Sequence, residues 1–383
     1  MRGRLKANAV GLILILFVFS FIGTAAAEPK MENVKAEAYV LMDADSGQIL
    51  AAYNENKRLA PASMTKLMTL TLGVEALEQG KANLSDKVVA SENAWKMGGS
   101  QIYLEPGETM TYEEMMIAIA AGSANDACVA LAEFLEGTHQ NFVDKMNARV
   151  NELGLENTHF INSYGLPAEG HYTSAYDMAV IARYALSHPR VLEYTSIKEY
   201  NLRQGAFKLY NTNKLLWWYQ GADGFKTGWT EEAKYCLTST VKRDGLRLIA
   251  VVMASPEVRG HFRDSMELFN YGFAKYAYKS FFTRDSVCGL VKVGKGTEEE
   301  VEALASEDVG SIYLKGEKDN ITNTKILPEY INAPVAQGQK LGEIQIYKDG
   351  NLQKTVDLVS AKEISRGGII KEILKMYAET FLL

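Results

Sequence analysis

Two side chains early in the chain have the types and spacing of a nucleophile and its base. In "PASMTKLMTL", residues 61–70, Ser63 and Lys66 are three positions apart, and an apolar run follows. Positions i and i+3 share one face of a helix, so the lysine amine can reach the serine hydroxyl. Serine attacks well only when a neighbour takes its proton, and lysine does this only with a lowered pKa. An ordinary helix start is the alternative, since Ser239 and Lys242 repeat the spacing in a strand-like run, where they point to opposite faces.

A second polar pair stands between two predicted helices. In "GSANDA", Ser123 and Asn125 follow Gly122 at a break in the helical periodicity. Such a break directs side chains into a cleft, where a hydroxyl can relay a proton and an amide can hold a substrate carbonyl. A plain helix N-cap is the alternative, because Ser91 and Asn93 show the same spacing elsewhere.

A third stretch, "DGFKTGWT", contains the one Lys-Thr-Gly of the chain, at residues 226–228. Lys226 supplies a cation, and Thr227 supplies a donor for a substrate carboxylate. Gly228 lets a substrate backbone approach the chain closely. The stretch stands before strand-like sequence, and a simple turn is the alternative interpretation.

The elements that must position these groups are helices between two sets of strands. Residues 38–54 predict a hairpin, and so do residues 236–255 with Asp244-Gly245 at the turn. Amphipathic or apolar periodicity predicts helices over residues 65–80, 111–122, 123–137, 140–155, 174–188 and 262–278. This order predicts an α+β fold, with helices segregated around a sheet.

The sequence pattern changes from helical to strand-like near residue 280. Short alternating strands with turn signals, such as Lys348–Asn351, predict a small all-β, sandwich-like domain over 283–362. Residues 365–383 predict an amphipathic helix. Its apolar side carries Ile369, Ile370, Ile373, Leu374, Tyr377 and Phe381, and its charged side carries Lys371, Glu372, Lys375 and Glu379. We interpret this helix as lying in a membrane interface, with docking on the β domain as the alternative.

The charge, the N-terminal residues and the cysteines of the chain each limit the class of protein it can be. The net charge of −6 and the absence of basic runs with interleaved aromatics argue against a nucleic-acid partner. Residues 1–27 have a basic start, an apolar stretch and a small-residue cleavage site, which predicts a signal peptide. The rest of the chain is therefore predicted to be exported. An uncleaved anchor is the alternative. Cys128, Cys236 and Cys288 are too scattered for a disulfide framework or a metal site and are predicted to be buried thiols.

Taken in order, S-x-x-K, S-x-N and K-T-G match the signature of penicillin-binding proteins and serine β-lactamases. From about residue 30 to the C-terminus the chain resembles the low-molecular-mass penicillin-binding proteins, the D-alanyl-D-alanine carboxypeptidases of peptidase family S11. "NTNKLLW" and "IYLEPGETMTYEEMM" also resemble that family. The resemblance implies a domain over 28–280 with a five-stranded antiparallel sheet flanked by helices, and an all-helical lobe across the cleft.

The resemblance also implies roles for individual residues. Ser63 would attack the carbonyl between the last two D-alanines of a peptidoglycan stem peptide, and Lys66 would take its proton. Ser123 and Lys226 would pass the proton to the leaving D-alanine, while Asn125 positions the peptide. Backbone N–H groups of Ser63 and Trp229 would form the oxyanion hole. The residues implied to bind substrate are Asn125, Lys226, Thr227, Gly228, Trp229 and Thr230, with Thr227 and Thr230 on the terminal carboxylate.

One departure from the family pattern concerns that carboxylate. The family often places an arginine just before the "N-x-L-L-W" stretch, where this chain has Thr212. Arg259, His261 and Arg263 are possible substitutes. The departure puts the carboxylate contact in question but leaves the nucleophile unaffected.

The implied partners are the D-Ala-D-Ala stem peptide, β-lactam antibiotics and, through the tail, the outer face of the cytoplasmic membrane. Neither a metal nor an organic cofactor is needed. The first rival is a serine β-lactamase, but no Glu-x-x-Leu-Asn stretch lies between the second and third motifs. The second rival is a non-catalytic β-lactam receptor or wall-binding module on the same fold.

Overall fold

A five-stranded antiparallel sheet forms the centre of the first structural unit, in the strand order β2-β1-β9-β8-β7. The computed structural model describes residues 30–317 and 320–368. The strands up to residue 255 are β1 (Ala38–Asp43), β2 (Ile49–Tyr53), β3 (Lys87–Val89), β4 (Thr109–Thr111), β5 (Glu199–Leu202), β6 (Phe207–Tyr210), β7 (Ala222–Thr230), β8 (Lys234–Arg243) and β9 (Leu246–Ser255). Strands β3 with β4, and β5 with β6, form two small two-stranded antiparallel sheets that the sequence analysis did not predict.

The helices of the described part are α1 (Lys66–Glu78), α2 (Glu92–Trp95), α3 (Tyr112–Gly122), α4 (Asn125–Glu136), α5 (His139–Glu152), α6 (Ala175–Leu186), α7 (Arg190–Thr195), α8 (Leu215–Trp218) and α9 (Gly260–Lys275). Helix α6 packs on one face of the sheet, and α9 packs on the other. Helix α1 is buried on all sides from Lys66 to Ala76, and the hydroxyls of Thr69 and Thr71 donate to backbone carbonyls within this core. It is therefore the centre of the helical lobe, with α3 and α4 packed around it.

Local sequence explains several of these element ends. Thr111 and Glu114 form a reciprocal capping box that starts α3. The predicted turn between β8 and β9 is confirmed: Asp244 and Gly245 both have positive φ, 47° and 83°, as a tight hairpin turn of this type requires. The helix predicted over 262–278 begins at Gly260 and ends at Lys275, because the following Tyr-Ala-Tyr continues as a strand.

The second unit is all β, as the sequence predicts. Its strands are β10 (Tyr276–Phe282), β11 (Val287–Gly294), β12 (Glu300–Ala305), β13 (Val309–Leu314), β14 (Ile321–Ile326), β15 (Tyr330–Asn332), β16 (Lys340–Lys348) and β17 (Asn351–Ser360). Six of them form one sheet in the order β14-β16-β17-β12-β11-β15, while β10 pairs with β13. The sequence predicts the domain boundary between residues 280 and 283, which is the end of β10. In the structure β10 pairs with β13 and therefore belongs to the second unit.

The last described residues are tied to the β domain. The N–H of Thr297 donates to the Ser365 carbonyl, and the N–H of Gly367 donates to the Lys295 carbonyl. The amphipathic helix predicted over 365–383 lies almost wholly outside the described residues, as does the signal peptide predicted over 1–27. Within residues 30–317 and 320–368, none of the helices has the length and apolar character needed to cross a bilayer.

Candidate active site

Ser63 lies in a short 3₁₀ turn, Ala62–Thr65, that leads directly into α1. Ala62 before it has a φ of 46°, a left-handed value that is strained for alanine and typical of tight functional turns. The Nζ of Lys66 lies 2.9 Å from the Ser63 Oγ. The structure therefore brings together the predicted nucleophile and base, one helical turn apart.

Lys66 is completely buried, and burial lowers the pKa of its amine to about 8. Besides Ser63, its Nζ donates to the Asn125 Oδ1 at 2.7 Å and to the Tyr164 carbonyl oxygen at 2.6 Å. A neutral amine has two N–H bonds and one lone pair. Two carbonyl acceptors account for both N–H bonds, which leaves the lone pair directed at the Ser63 hydroxyl, as a general base requires.

The break between α3 and α4 occurs where the sequence predicts it. Ser123 adopts a left-handed conformation, with φ 58° and ψ 30°, and is 4 % exposed at the cleft. Its hydroxyl has no hydrogen-bond partner within the described part of the chain. Asn125 begins α4, and its Nδ2 donates to the Gly98 carbonyl at 2.6 Å. The amide is therefore fixed with its oxygen on Lys66, a contact that the sequence analysis did not anticipate.

Lys226, Thr227 and Gly228 lie inside β7, the edge strand of the sheet, and not before a strand as the sequence suggested. Lys226 is 1 % exposed, and burial, with the nearby charge of Lys66, lowers the pKa of its amine to about 7. Its Nζ lies 3.4 Å from the Thr212 Oγ1. The Thr227 hydroxyl donates to the same Thr212 oxygen at 2.7 Å.

Gly228 is needed for the packing of β7, in addition to the close approach of substrate expected from the sequence. A β-carbon there would lie 2.8 Å from the Pro61 carbonyl oxygen and 3.1 Å from the Met64 nitrogen. The missing side chain thus lets the strand pack directly against the turn that carries Ser63. This contact also places Trp229, the next residue and 59 % exposed, beside that turn.

A loop that the sequence analysis did not single out completes the site. The Oδ1 of Asn162 accepts from the backbone N–H groups of Tyr164 and Gly165, and this folds the loop so that the Tyr164 carbonyl faces Lys66. Gly165 has a φ of 90°, and a β-carbon there would lie 1.9 Å from the Ala62 carbonyl oxygen. The signal in the sequence is the Gly-Leu-Pro that begins at Gly165, but a backbone acceptor has no residue-type signature.

The three suggested substitutes for an arginine at position 212 make other contacts. Arg263 pairs with Glu257 at 2.8 Å, and Arg259 lies over the Trp218 ring. His261 stacks on Tyr235 with 5.5 Å between ring centroids, and burial lowers its pKa to about 4.

Two groups outside the cleft motifs have structural roles. His171 accepts from the Ile161 N–H at its Nδ1, so its proton is on Nε2, which donates to the Thr65 Oγ1 at 2.9 Å. The predicted buried thiols are confirmed, since Cys128, Cys236 and Cys288 are all free and buried.

The second Ser-x-x-Lys and the second Ser-x-Asn of the chain have non-catalytic roles, as the alternative interpretations proposed for them. Ser91 caps α2 by accepting from the Ala94 N–H. Ser239 is buried, whereas Lys242 is on the surface and pairs with Asp308 at 2.9 Å. Only one copy of each motif therefore reaches the cleft.

Comparison with known families agrees with this geometry. Residues 23–257 match the family model for D-alanyl-D-alanine carboxypeptidase, peptidase S11, and residues 276–366 match the C-terminal domain of penicillin-binding protein 5. The chain is 40% identical over 375 residues to the D-alanyl-D-alanine carboxypeptidase DacF of Bacillus subtilis, covering 97% of this chain and 96% of that one. It is 34% identical over 363 residues to the D-alanyl-D-alanine carboxypeptidase DacA of Escherichia coli, covering 90% and 88%.

Solved structures show the same architecture. Penicillin-binding protein 5 from Haemophilus influenzae superposes with a TM-score of 0.68 at 32% identity, covering 89% of this chain and all of that one. Penicillin-binding protein D2 from Listeria monocytogenes in its ampicillin-bound form has a TM-score of 0.59 at 31% identity, covering 64% of this chain and 100% of that one. The α+β fold and the order of the three motifs thus have matches in both sequence and structure, and the chain belongs to peptidase family S11, the serine D-alanyl-D-alanine carboxypeptidases.

Proposed function

We propose that Ser63 is the residue through which this carboxypeptidase removes the terminal D-alanine of a stem pentapeptide. The Ser63 Oγ attacks the carbonyl carbon of the penultimate D-alanine, and the C–N bond to the last D-alanine breaks. Water then hydrolyses the resulting ester and releases the shortened peptide. The observation that carries the proposal is the contact between the Ser63 Oγ and a fully buried Lys66 amine, 2.9 Å apart.

Proton transfer follows from the same contacts. Lys66 accepts the hydroxyl proton, since its lowered pKa leaves part of the population neutral near neutral pH. The leaving amine needs a proton, and Ser123 and Lys226 would help to pass to it the proton that Lys66 has taken. Asn125 holds Lys66 in place and, with its amide at the start of α4, borders the path of the peptide.

An oxyanion hole formed by the backbone N–H groups of Ser63 and Trp229 is supported by the contact of Gly228 with the Ser63 turn. Loss of one such donor costs about 3–4 kcal/mol in acyl transfer. Lys226 and Thr227 would bind the terminal carboxylate of the substrate, because both present donors at the same end of the cleft. Gly228 and Thr230 continue that edge of the strand.

The test is mass spectrometry of D-alanine release from a pentapeptide ending in D-Ala-D-Ala. Ser63→Ala should abolish release and prevent a covalent adduct with labelled penicillin. Ser239→Ala is the matched control, because it removes the serine of the other Ser-x-x-Lys and should retain both properties. Turnover by Ser63→Ala at the wild-type rate would remove Ser63 from the mechanism.

The β-lactamase alternative is not favoured. Among the described residues, no carboxylate forms a hydrogen bond with Ser63 or Lys66, so none is placed to activate water as the glutamate of class A β-lactamases does. A β-lactam should therefore leave a long-lived adduct on Ser63. Rapid turnover of nitrocefin would contradict this assignment, and adduct formation without D-alanine release would favour the receptor.

The cell-wall substrate places the site of action outside the cytoplasm, and the finer location rests on the chain ends. A cleaved signal peptide over 1–27 and an amphipathic helix over 365–383 would leave the enzyme on the outer face of the cytoplasmic membrane. Because Ser365 and Gly367 are bonded to the β domain, the informative deletion removes only residues 369–383. The truncated protein should no longer sediment with membranes once the signal is removed, and continued sedimentation would refute the anchor.

A further inference from the structure

Thr212 occupies a rigid position beside the Lys-Thr-Gly strand. It stands between two fully buried asparagines. The Nδ2 of Asn211 donates to the Ile197 carbonyl at 2.8 Å, and the Nδ2 of Asn213 donates to the Gly224 carbonyl at 3.0 Å. The loop is thus bonded both to the segment after α7 and to β7 itself, so the Thr212 side chain is held in place before any substrate arrives.

The hydrogen bonds of Thr212 leave it with one unused proton. Its Oγ1 accepts from the Thr227 hydroxyl at 2.7 Å and from the Lys226 Nζ at 3.4 Å. Because this oxygen accepts from Thr227, the Thr212 O–H is not used in their hydrogen bond, and it has no other acceptor within the described part of the chain. Lys226 retains donor capacity as well, because its ammonium has three N–H bonds and its contacts within the described part are 3.4 Å long.

Thr230 is less suited to the same task. Residues 226–230 pair regularly with 234–238, so Thr227 and Thr230, three apart, point to opposite faces of the strand. The Thr230 Oγ1 also accepts from the Ala233 N–H at 2.9 Å, which fixes it in the turn to β8. Thr212, by contrast, touches Thr227 directly.

We infer that the Thr212 hydroxyl donates to the terminal carboxylate of the substrate and, with Lys226 and Thr227, forms the carboxylate subsite. This inference rests on the proposed function, since it concerns the same peptide. The Thr212 hydroxyl takes the place of the guanidinium that the family often supplies here, beside the Lys226 and Thr227 of the shared Lys-Thr-Gly motif. When the substrate binds, the Thr227 O–H turns from the Thr212 oxygen to the carboxylate. A carboxylate has two oxygens and about four lone-pair sites, so it can then accept from all three groups at once.

The experiment pairs a protein change with a substrate change. Thr212→Val removes the hydroxyl and keeps the shape of the side chain. The substrates are a pentapeptide ending in D-Ala-D-Ala and the same peptide with a C-terminal amide. Both give the same acyl-enzyme and the same tetrapeptide, whose formation is followed by mass spectrometry. Dividing the two kcat/KM values gives the preference of each variant for the carboxylate.

Thr212→Val should reduce this preference about tenfold or more, as expected for a lost hydrogen bond to a charged group, while turnover of the amide changes less than about threefold. Thr212→Ser keeps the hydroxyl and should retain the preference. Thr322→Val, on an exposed strand of the β domain, is the control for a general effect of the substitution. Unchanged amide turnover also shows that the variant is folded.

Two results would overturn the inference. One is an equal loss on both substrates, which assigns Thr212 a structural role only. The other is an unchanged preference, in Thr212→Val or in Thr212→Ala if the valine variant does not fold. Failure of the proposed function has a different signature, since wild-type protein would then process neither peptide.

Discussion

The rate of Ser63 acylation should rise with pH, because the base we propose for it is Lys66, whose pKa is lowered by burial to about 8. With that pKa, about one tenth of the Lys66 amines are neutral at pH 7 and about nine tenths at pH 9. For a substrate with an uncharged terminus, kcat/KM should therefore rise about tenfold over this range, with a midpoint near pH 8. The rate rises and does not fall with pH because Lys66 would act as a general base, and a general base acts in its deprotonated form.

Asn125→Asp is the perturbation that tests this reasoning. It replaces a neutral acceptor, 2.7 Å from the Lys66 Nζ, by a carboxylate of nearly the same shape. An opposite charge at this distance shifts a pKa by about one to three units toward the charged form. A shift of one unit moves the midpoint to about pH 9 and lowers kcat/KM at pH 7 about tenfold. Part of the loss should be recovered at pH 10.

The assay is tetrapeptide formation from the C-terminal amide peptide, measured by mass spectrometry from pH 6 to pH 10. Asn93→Asp is the matched control, because Asn93 belongs to the other Ser-x-Asn and donates to the Glu133 side chain in an exposed hydrogen bond. Its midpoint should equal that of wild type. A wild-type rate that is flat between pH 7 and pH 9, or an Asn125→Asp midpoint at or below the wild-type value, would refute the assignment of Lys66 as the base.

Three further predictions concern the surroundings of this base. With a free carboxylate on the substrate, kcat/KM should be highest at about pH 7.5 and fall above it, because Lys66 must be neutral and Lys226 charged, with pKa values of about 8 and about 7; a profile matching that of the amide would contradict this. Gly165→Ala should reduce the rate of acylation by penicillin more than about a hundredfold, since the added β-carbon would clash with the Ser63 turn. Gly154→Ala is the control, because Gly154 also has positive φ but has no atom near the added β-carbon; it should lose only about 1 kcal/mol of stability and no activity. Glu75→Ala should lower the free energy of unfolding by about 2 kcal/mol in denaturant melts, because this buried carboxylate accepts from two Arg149 nitrogens and from the Tyr184 hydroxyl; a cost no greater than that of the exposed Glu92→Ala would be inconsistent with this.

Hairpin turns and helix ends were predictable because they depend on neighbouring residues. Asp244-Gly245 and Asp349-Gly350 supply positive φ at two successive positions, which is a local property of their side chains. The helix break before Asn125 follows in the same way from Gly122 and the loss of periodicity. These features need no knowledge of the rest of the chain.

The contacts that tune the site were not predictable in this way. The Tyr164 carbonyl binds Lys66 through a backbone oxygen that every residue has. The close packing of Gly228 depends on a turn more than 160 positions earlier in the sequence. The contact between Thr212 and Thr227 joins two hydroxyl residues of an unremarkable type, 15 positions apart.

The sequence by itself determined the chemical groups, their order along the chain and the family to which they belong, because residue identity and spacing are sufficient for a motif. Only the tertiary structure decided which copy of each motif is brought to the cleft and what pKa its lysine has. The physical reason is that the pKa of Lys66 depends on burial by α3 and α4 and on acceptors from distant loops. Proton affinity is therefore a property of the folded surroundings, and the same Ser-x-x-Lys at Ser239 and Lys242 lies in surroundings that give it no part in the cleft.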